Sequence, residues 1–333
     1  VVLYLGIETS CDDTAVALME NEKCLANEII TQDSSMFGGV VPEYASREHM
    51  DVLPKLIDSI LIRNNVTLHD LSFIAATQGP GLLGSVMVGV QYAKSLAWSL
   101  NIPWIGIHHL EGHAIIAKWN SSLEFPFGIL LVSGGHTCII LANELSKYEI
   151  LGSSMDDAVG EMFDKVGRCM GFPNPAGPYM EEYAKKSKSA IEFTIPLKND
   201  DSMNFSFSGL KTAAIRFWDQ SDKSEQTKSD ICMGLQKTVA KSLESRLENV
   251  WKSYNIKSWV FAGGVASNLY IREKITNLCE QNGKNIFIPE PKLCRDNGLM
   301  IAYTGYLYYK KGIVSQYNES AIANYKIDHI KFK

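Results

Sequence analysis

Three of the chain's seven histidines fall within IHHLEGHA, Ile107 to Ala114. His109 and His113 stand four residues apart. On a helix they share one face, about one turn from each other, and there two imidazoles can hold one metal ion. The same spacing also suits an ordinary polar helix face. The order differs from the H-E-x-x-H of zinc proteases. Glu111 stands two residues after His109, about 200° around a helix, so it cannot serve as that motif's base. His108 points elsewhere. A metal needs a third ligand, and Asp296 in CRDNG (Cys294 to Gly298), near the start of the last helical pattern, is the candidate.

Two acidic segments come next. ETSCDD sets Glu8, Asp12 and Asp13 around a turn, and MDDAVGEMFDKVG sets Asp156, Asp157, Glu161 and Asp164 in the second half. Such carboxylates can hold a metal, a ribose or an attacking group, or they can form turns and cap helices. Glu161 and Lys165 also make an ordinary helical pair. Two glycine turns, SGGHT (Ser133 to Thr137) and AGGVASN (Ala262 to Asn268), follow apolar strands, and the second is expected to open a helix directly. Outward backbone N–H groups and the partial positive charge of a helix start favour phosphate. Each alone is only a tight turn. Together with QGPGLLGS (Gln78 to Ser85) they point to a nucleotide cleft.

The elements that position these residues are legible as patterns. Leu3–Glu8, Thr14–Met19 and Cys24–Thr31 read as a β-meander with ETSCDD at its first turn. Phe127 to Ser153 repeats the design with GGH at its first turn, so an internal duplication is expected. Pro42 to Ile62 reads as a helix that Pro54 should kink or split. FIAATQG and PWIGI read as strands, with a helix to about Leu100 between them. Lys228 to Trp251 reads as a long helix, SWVFAGG as a strand, VASNLYIREKITNLCEQNG as a helix stopped by Gly283, NIFIP as a strand and Asn297 to Tyr309 as a last helix. Asp219 to Asp230, DQSDKSEQTKSD, reads as a solvated loop. The expected division is 1–125, with a helical insertion around 32–65; 126–293, with one around 155–230; and 294–333, returning to the first lobe.

Bulk composition narrows the class. The 333 residues are 46% hydrophobic and 21% charged, as in soluble globular proteins, and no apolar run spans a bilayer. VVLYLGIETS runs straight into a strand pattern, which is not how a secretory signal reads. The seven cysteines are scattered without a C-x-x-C pair, which suits reduced thiols in cytosol or an organelle matrix. A net charge of −5 is unlike a dedicated nucleic-acid binder, so any RNA contact must use local patches such as KKSK (Lys185 to Lys188), Lys310-Lys311 and the tail from Lys326, or a partner.

Taken in order, GIETSCDDTAVA, FGGVVPEYASREH, QGPGLLGSVMVG, HHLEGHA, LLVSGGHT, DDAVGEMFDKVGR, FSFSGLKTA, GGVASN and CRDNGLMIAYTG make the chain resemble the TsaD family of tRNA threonylcarbamoyltransferases over about residues 3 to 310. That family was once labelled O-sialoglycoprotein endopeptidases. The resemblance implies an α/β fold of the actin, Hsp70 and sugar-kinase class, with two lobes around a nucleotide cleft. It implies transfer of threonylcarbamoyl from threonylcarbamoyl-AMP to N6 of the adenosine 3′ of the anticodon, in tRNAs reading codons that begin with A. It implies one divalent metal, iron or zinc, on His109, His113 and Asp296. The adenylate, or ATP or AMP in the same cleft, would be held by Leu131, Val132, Ser133, Gly134, Gly135, Asp164, Gly177, Gly264 and Asn268. Asp12, Asp13 and His136 would stand nearest to a base role.

The chain reads Pro175-Ala176-Gly177-Pro178 where the family has P-G-G-P. Leu131, His136 and ETSCDD match the bacterial and mitochondrial branch, whereas the tail lacks the bacterial R-W ending. The implied partners are tRNA and either TsaB- and TsaE-like proteins, for a bacterial member, or a second copy, for a mitochondrial one, and no membrane. The region around residues 43–63 resembles the family's partner-binding or dimerising helices. The expected compartment is the cytoplasm or the mitochondrial matrix. Two rivals share the fold: an ATP-dependent small-molecule kinase and a non-enzymatic ATP-binding scaffold.

Overall fold

Each half of the chain opens on three apolar segments joined by short polar turns, and these become the strands of two sheets. The computed structural model of the protein describes residues 1–32, 40–198 and 200–330. The first half runs β1 (Leu3–Glu8), β2 (Asp13–Glu20), β3 (Lys23–Thr31), α1 (Pro42–Arg63), β4 (Phe73–Gly79), α2 (Leu83–Leu100), β5 (Trp104–His108) and α3 (His109–Ile115). The second runs β6 (Phe127–Val132), β7 (Thr137–Glu144), β8 (Lys147–Ser153), α4 (Val159–Cys169), α5 (Gly177–Ala184), α6 (Ser208–Gln220), α7 (Glu225–Ser253), β9 (Ser258–Ala262), α8 (Leu269–Gln281), β10 (Asn285–Phe287) and α9 (Pro291–Cys294), before α10 (Gly298–Lys310). Two compact units result. The first comprises Val1–Ser122, Leu145–Lys147 and Arg295–Lys333, and the second Leu123–Glu144 and Tyr148–Cys294.

In the first unit the sheet order is β3-β2-β1-β4-β5. β1 and β2 pair antiparallel with Ile7 opposite Val16, and β1 and β4 pair parallel with Ile7 opposite Ala76. On one face Leu5, Ile7, Val16 and Leu18 bury against Leu53, Leu56, Ile57 and Ile60 of α1 and Val86, Val90 and Ala93 of α2. Fully burying such a side chain stabilises by about 1.5–3 kcal/mol. α10 packs on β1 closely enough that a Cβ on Gly6 would lie 2.4 Å from the Ala302 nitrogen, so only glycine fits there.

The second unit repeats the order, β10-β9-β6-β7-β8, in which the first strand of the meander again sits centrally with a parallel strand beside it. Its core joins Leu130, Val132 and Ile139 to Phe163 of α4, Leu210 of α6 and Leu235, Val239 and Leu243 of α7. The buried Arg246 of α7 donates to the carbonyls of Leu197, Asp200 and Ser202, and so fastens the loop that leads into FSFSG.

Two expectations are corrected. Pro54 does not split α1, which is one helix over Pro42–Arg63. Pro54 lacks an N–H, so the Met50 carbonyl loses its donor. Met50 is 64% exposed, and water can replace that bond. DQSDKSEQTKSD is not a loop throughout. α6 runs to Gln220, and α7 starts at Glu225 with the Ser224 side chain accepting from the Thr227 N–H. Its polar run is a helix N-terminus with a serine cap. The part of the expected 32–65 insertion at 33–39, and the lysines at 331 and 333 of the tail, lie outside the described residues.

Candidate functional site

β5 delivers the histidines. Its last residue, His108, caps α3: Nδ1 accepts from the Leu110 N–H at 3.2 Å, and Nε2 donates to the Tyr325 carbonyl at 2.9 Å. One turn of α3 then sets His109 and His113 edge to face, with ring centroids 4.7 Å apart. α10 packs on α3, tied by the Tyr308 hydroxyl, which donates to the buried Glu111 carboxylate at 2.8 Å. Asp296 precedes α10, whose cap is Asn297, accepting from the Met300 N–H.

This brings His109, His113 and Asp296 together, all in the first unit, with one ligand atom of each within 4.8 Å of the others. Asp296 Oδ1 lies 3.0 Å from His113 Nε2 and 3.6 Å from His109 Nε2. Bonds of about 2.0–2.1 Å to a tetrahedral or octahedral ion place ligand atoms about 2.9–3.4 Å apart. The His113–Asp296 pair already has that spacing, and the wider separations would have to close around the ion. Two imidazoles with a carboxylate are a donor set that suits zinc or ferrous iron.

Glu8, 1% exposed at the end of β1, completes the arrangement. Its carboxylate accepts from His109 Nδ1 at 2.9 Å, the Thr77 hydroxyl at 2.5 Å and the Ser10 N–H at 2.5 Å. Holding the proton on Nδ1 leaves His109 Nε2 as the ligating atom. Burial alone would push His109 down, but the Glu8 and Asp296 carboxylates lift it to about 9. Burial would raise Asp296, yet His109 and His113 hold it well below the ordinary carboxylate range. Carboxylates that stabilise a protonated imidazole this firmly also favour a metal cation in the proton's place. His113 differs: its Nδ1 is buried and has no hydrogen-bond partner among the described residues.

The turn after β1 carries Asp12 and leads into Asp13, the first residue of β2, in the same unit. Burial, with Asp296 and Asp12 nearby, raises Asp13 to about 6, although the Thr31 hydroxyl donates to it at 2.5 Å. A carboxyl near neutrality suits proton transfer.

The glycine turns lie in the second unit. β6 pairs parallel with β9, Leu131 opposite Ala262, so Ser133–His136 and Gly263–Gly264 adjoin at the carboxyl ends of neighbouring strands. Gly263 has φ 90°, and a Cβ there would meet the Val132 carbonyl at 2.4 Å. Gly134, Gly135, Gly177 and Gly264 differ: among the described residues beyond their chain neighbours, nothing lies within 4 Å of where their Cβ would be. Their backbone is open to a ligand. His136 is exposed and closes the hairpin, its carbonyl accepting from the Ser133 N–H at 2.7 Å. Asp164 accepts from the Ala176 N–H at 2.7 Å, which ties α4 to the start of α5 beside Gly177, and burial raises its pKa.

Several roles differ from expectation. Leu131 and Val132 have fully buried side chains in a core strand, so they carry the turn rather than line it. GGVASN does not open a helix directly: a short 3-10 turn, Gly264–Ser267, precedes α8. Leading helix donors are already taken. Gly160 and Glu161 N–H of α4 donate to the Ser133 and Gly134 carbonyls, and Leu269 N–H of α8 donates to the Glu181 carboxylate at 2.7 Å. Asn268 caps α8 and donates to Gln236 at 2.7 Å, so both ends of its amide are engaged. Asp156 is no cleft carboxylate. It accepts from Ser206, Phe207 and Ser208 at the start of α6, and these bonds, working against burial, hold it at about 2. Asp157 is paired with Lys165 at 2.7 Å and Lys211 at 2.5 Å. Sequence reasoning missed Glu181 as the carboxylate at α8, and it did not single out Glu8 as the partner of His109. A carboxylate ending a strand as apolar as LYLGIE was the available signal, since a buried charge requires a partner.

No helix is long and apolar enough to cross a membrane among the described residues. The fold resembles HypF from T. kodakarensis (TM-score 0.62, 14% identity, 97% of this chain and 49% of that one) and component A of (R)-2-hydroxyglutaryl-CoA dehydratase from Acidaminococcus fermentans (TM-score 0.56, 16% identity, 93% and 99%). With the duplicated sheets, these place it in the actin, Hsp70 and sugar-kinase class. A family model described as TsaD, tRNA N6-adenosine threonylcarbamoyltransferase, matches residues 23–303. Relatives bearing that name come from Thermosipho africanus (40% identical, 98% of this chain and 100% of the relative), Legionella pneumophila (41%, 93% and 95%) and Sulfurihydrogenibium sp. (42%, 98% and 97%). With metal-ligating geometry in one unit, open glycine turns in the other and likeness at this level over nearly the whole length, the chain belongs to the TsaD family of tRNA N6-adenosine threonylcarbamoyltransferases.

Proposed function

We propose that the protein transfers the threonylcarbamoyl group of threonylcarbamoyl-AMP to N6 of the adenosine 3′ of the anticodon, in tRNAs that read codons beginning with A. The observation that carries this reading is the His109–His113–Asp296 cluster, with Glu8 behind His109. The donor is a mixed anhydride with AMP as a good leaving group. The acceptor is a poor nucleophile, an exocyclic amine whose lone pair is delocalised into adenine. Catalysis must therefore orient the amine, polarise the carbonyl and remove a proton. Iron or zinc on His109, His113 and Asp296 would supply Lewis acidity toward a donor oxygen.

The chain's own residues do the rest. The backbone of Gly134, Gly135 and Gly264 approaches the adenylate, with Ser133, Asp164, Gly177 and Asn268 shaping the turns around it. Asp13, raised to about 6 by burial with Asp296 and Asp12 nearby, accepts the amine proton. His136 orients substrate rather than titrating. The seven cysteines, none of them in a disulfide among the described residues, suit a reducing compartment, the cytosol or an organelle matrix.

The test is mass spectrometry of tRNA nucleosides after incubation with threonine, bicarbonate, ATP and a threonylcarbamoyl-AMP synthase. The incubation is run with the chain alone and with TsaB- and TsaE-like partners. Threonylcarbamoyladenosine is expected in at least one arm. Its absence from both would overturn the reading, and its presence without partners would favour a self-sufficient chain.

A further inference from the structure

The turn that carries Asp12 and Asp13 is held residue by residue from different elements. The Ser10 carbonyl accepts from the Leu82 N–H at 2.8 Å, just ahead of α2. The Asp12 carbonyl accepts from the Gln32 N–H at 3.1 Å, just after β3, and the Asp13 carboxylate from Thr31 at the end of β3. The Cys11 carbonyl accepts from a side chain: His49 Nε2, on α1, at 3.0 Å.

His49 is a completely buried histidine on the second turn of α1. Its Nδ1 accepts from the Thr14 hydroxyl at 2.7 Å, at the start of β2. Both ring nitrogens are thus engaged on either side of the Asp12–Asp13 pair. A carbonyl can only accept, so the ring is the Nε2–H tautomer, with Nδ1 as acceptor. Neither bond reaches the metal ligands. The opposite side of His49 joins Met50, Leu53, Met87 and Tyr92 in lining a groove of about 410 Å³ between α1 and α2. Nothing in the activity proposed above uses this histidine.

We propose that His49 is a positioning residue for the transfer reaction: its Nε2–H bond to the Cys11 carbonyl holds the turn in the conformation that presents Asp13. The bond to Thr14 only fixes the ring tautomer that makes the first bond possible. This rests on the assignment of Asp13 as base.

The two bonds are separable by substitution. His49→Gln keeps an N–H donor near the Nε2 position, and His49→Asn keeps an acceptor near Nδ1. kcat and KM for threonylcarbamoyl-AMP, metal content and thermal unfolding are measured for both, for His49→Ala and for Asp13→Asn. Metal content should stay unchanged in the three His49 variants, and Tm should fall to a similar extent in the Gln and Asn variants. kcat should fall about 10- to 100-fold in His49→Asn and His49→Ala, the cost of misplacing a reacting group by about an ångström. In His49→Gln it should fall no more than about threefold, and KM should stay within about threefold throughout, because the misplaced group acts in the chemical step.

Equal loss of kcat in the Gln and Asn variants, with Asp13→Asn inactive, would overturn the positioning role alone. A fully active Asp13→Asn would overturn the base assignment, and the inference with it. If His49→Ala fails to fold, the Gln and Asn pair still decides the matter, because each retains one of the two bonds.

Discussion

A carboxylate closing a buried apolar strand is costly unless it is paired and hydrogen-bonded. Glu8 meets that condition by facing the ring nitrogen of His109 that the metal does not need. This makes Glu8 an orienting group and not a ligand, and the distinction is measurable. Asp296→Ala and His109→Ala should lose the bound metal. Glu8→Gln keeps the shape but weakens the pull on Nδ1, and should retain metal with affinity lowered about 10- to 100-fold, the usual cost of removing an outer-shell partner. Metal analysis and chelator competition on the purified variants check both outcomes. Full occupancy in Asp296→Ala would remove the site, and unaltered affinity in Glu8→Gln would remove the orienting role. The His109 and His113 pair is legible in the sequence because its spacing is local. The part played by Glu8 is not, since it depends on how β1, β4 and β5 align and so on contacts about a hundred residues apart. His108 is a similar case: spacing alone turns it away from His109 and His113, but its role as a cap of α3 whose far nitrogen meets Tyr325 depends on a contact more than two hundred residues away.

At the scale of elements, strands with tight turns are the most legible part of the chain. LYLGIE and FGILLV announce themselves by apolar content, and the polar turns after them fix where the meanders fold back. Helix boundaries are less so. Ser224 caps α7 inside a run whose polar residues are a cap, a water-facing surface and, at the buried Ser229 and Asp230, hydrogen-bonding groups, and hydropathy alone cannot separate that from a loop. The two glycines after β9 illustrate how neighbouring residues of one type divide between fold and function. Gly263 adopts φ 90° against the Val132 carbonyl, whereas Gly264 faces open space. Gly263→Ala should therefore destabilise the protein by about 1–3 kcal/mol through backbone strain, before any steric adjustment. Gly264→Ala should leave stability within about 0.5 kcal/mol. It should weaken AMP binding by about tenfold or more, if it costs one hydrogen bond to a phosphate worth about 1.5–3 kcal/mol. Denaturant unfolding and calorimetric titration with AMP separate the two. A Gly264→Ala protein that binds AMP normally would take that turn out of the adenylate site.

At the scale of the whole molecule, the same strand order occurs twice, yet the two copies carry different chemistry. His109, His113, Asp296, Glu8 and the Asp12–Asp13 turn all belong to the first unit, and the open glycine turns belong to the second. Metal binding and adenylate binding should therefore be separable. Residues 123–294 hold the second sheet and its own core, from Leu130 through Phe163 and Leu243 to Ile275, within a contiguous segment of ordinary domain size. The one part of that segment grouped with the first unit is the hairpin tip Leu145–Lys147, where the Ser146 N–H donates to Glu111 at 3.0 Å. In the isolated segment that donor turns to water, a small loss beside a core of this size, because an exposed backbone group exchanges one hydrogen bond for another. Expressed alone, residues 123–294 should unfold cooperatively, bind AMP and take up no stoichiometric metal, since every ligand is absent. Cooperative unfolding without AMP binding would mean that the glycine turns do not make an adenylate site by themselves. A segment that does not fold would mean that the second core depends on the first, although all five strands of the second sheet lie within residues 123–294.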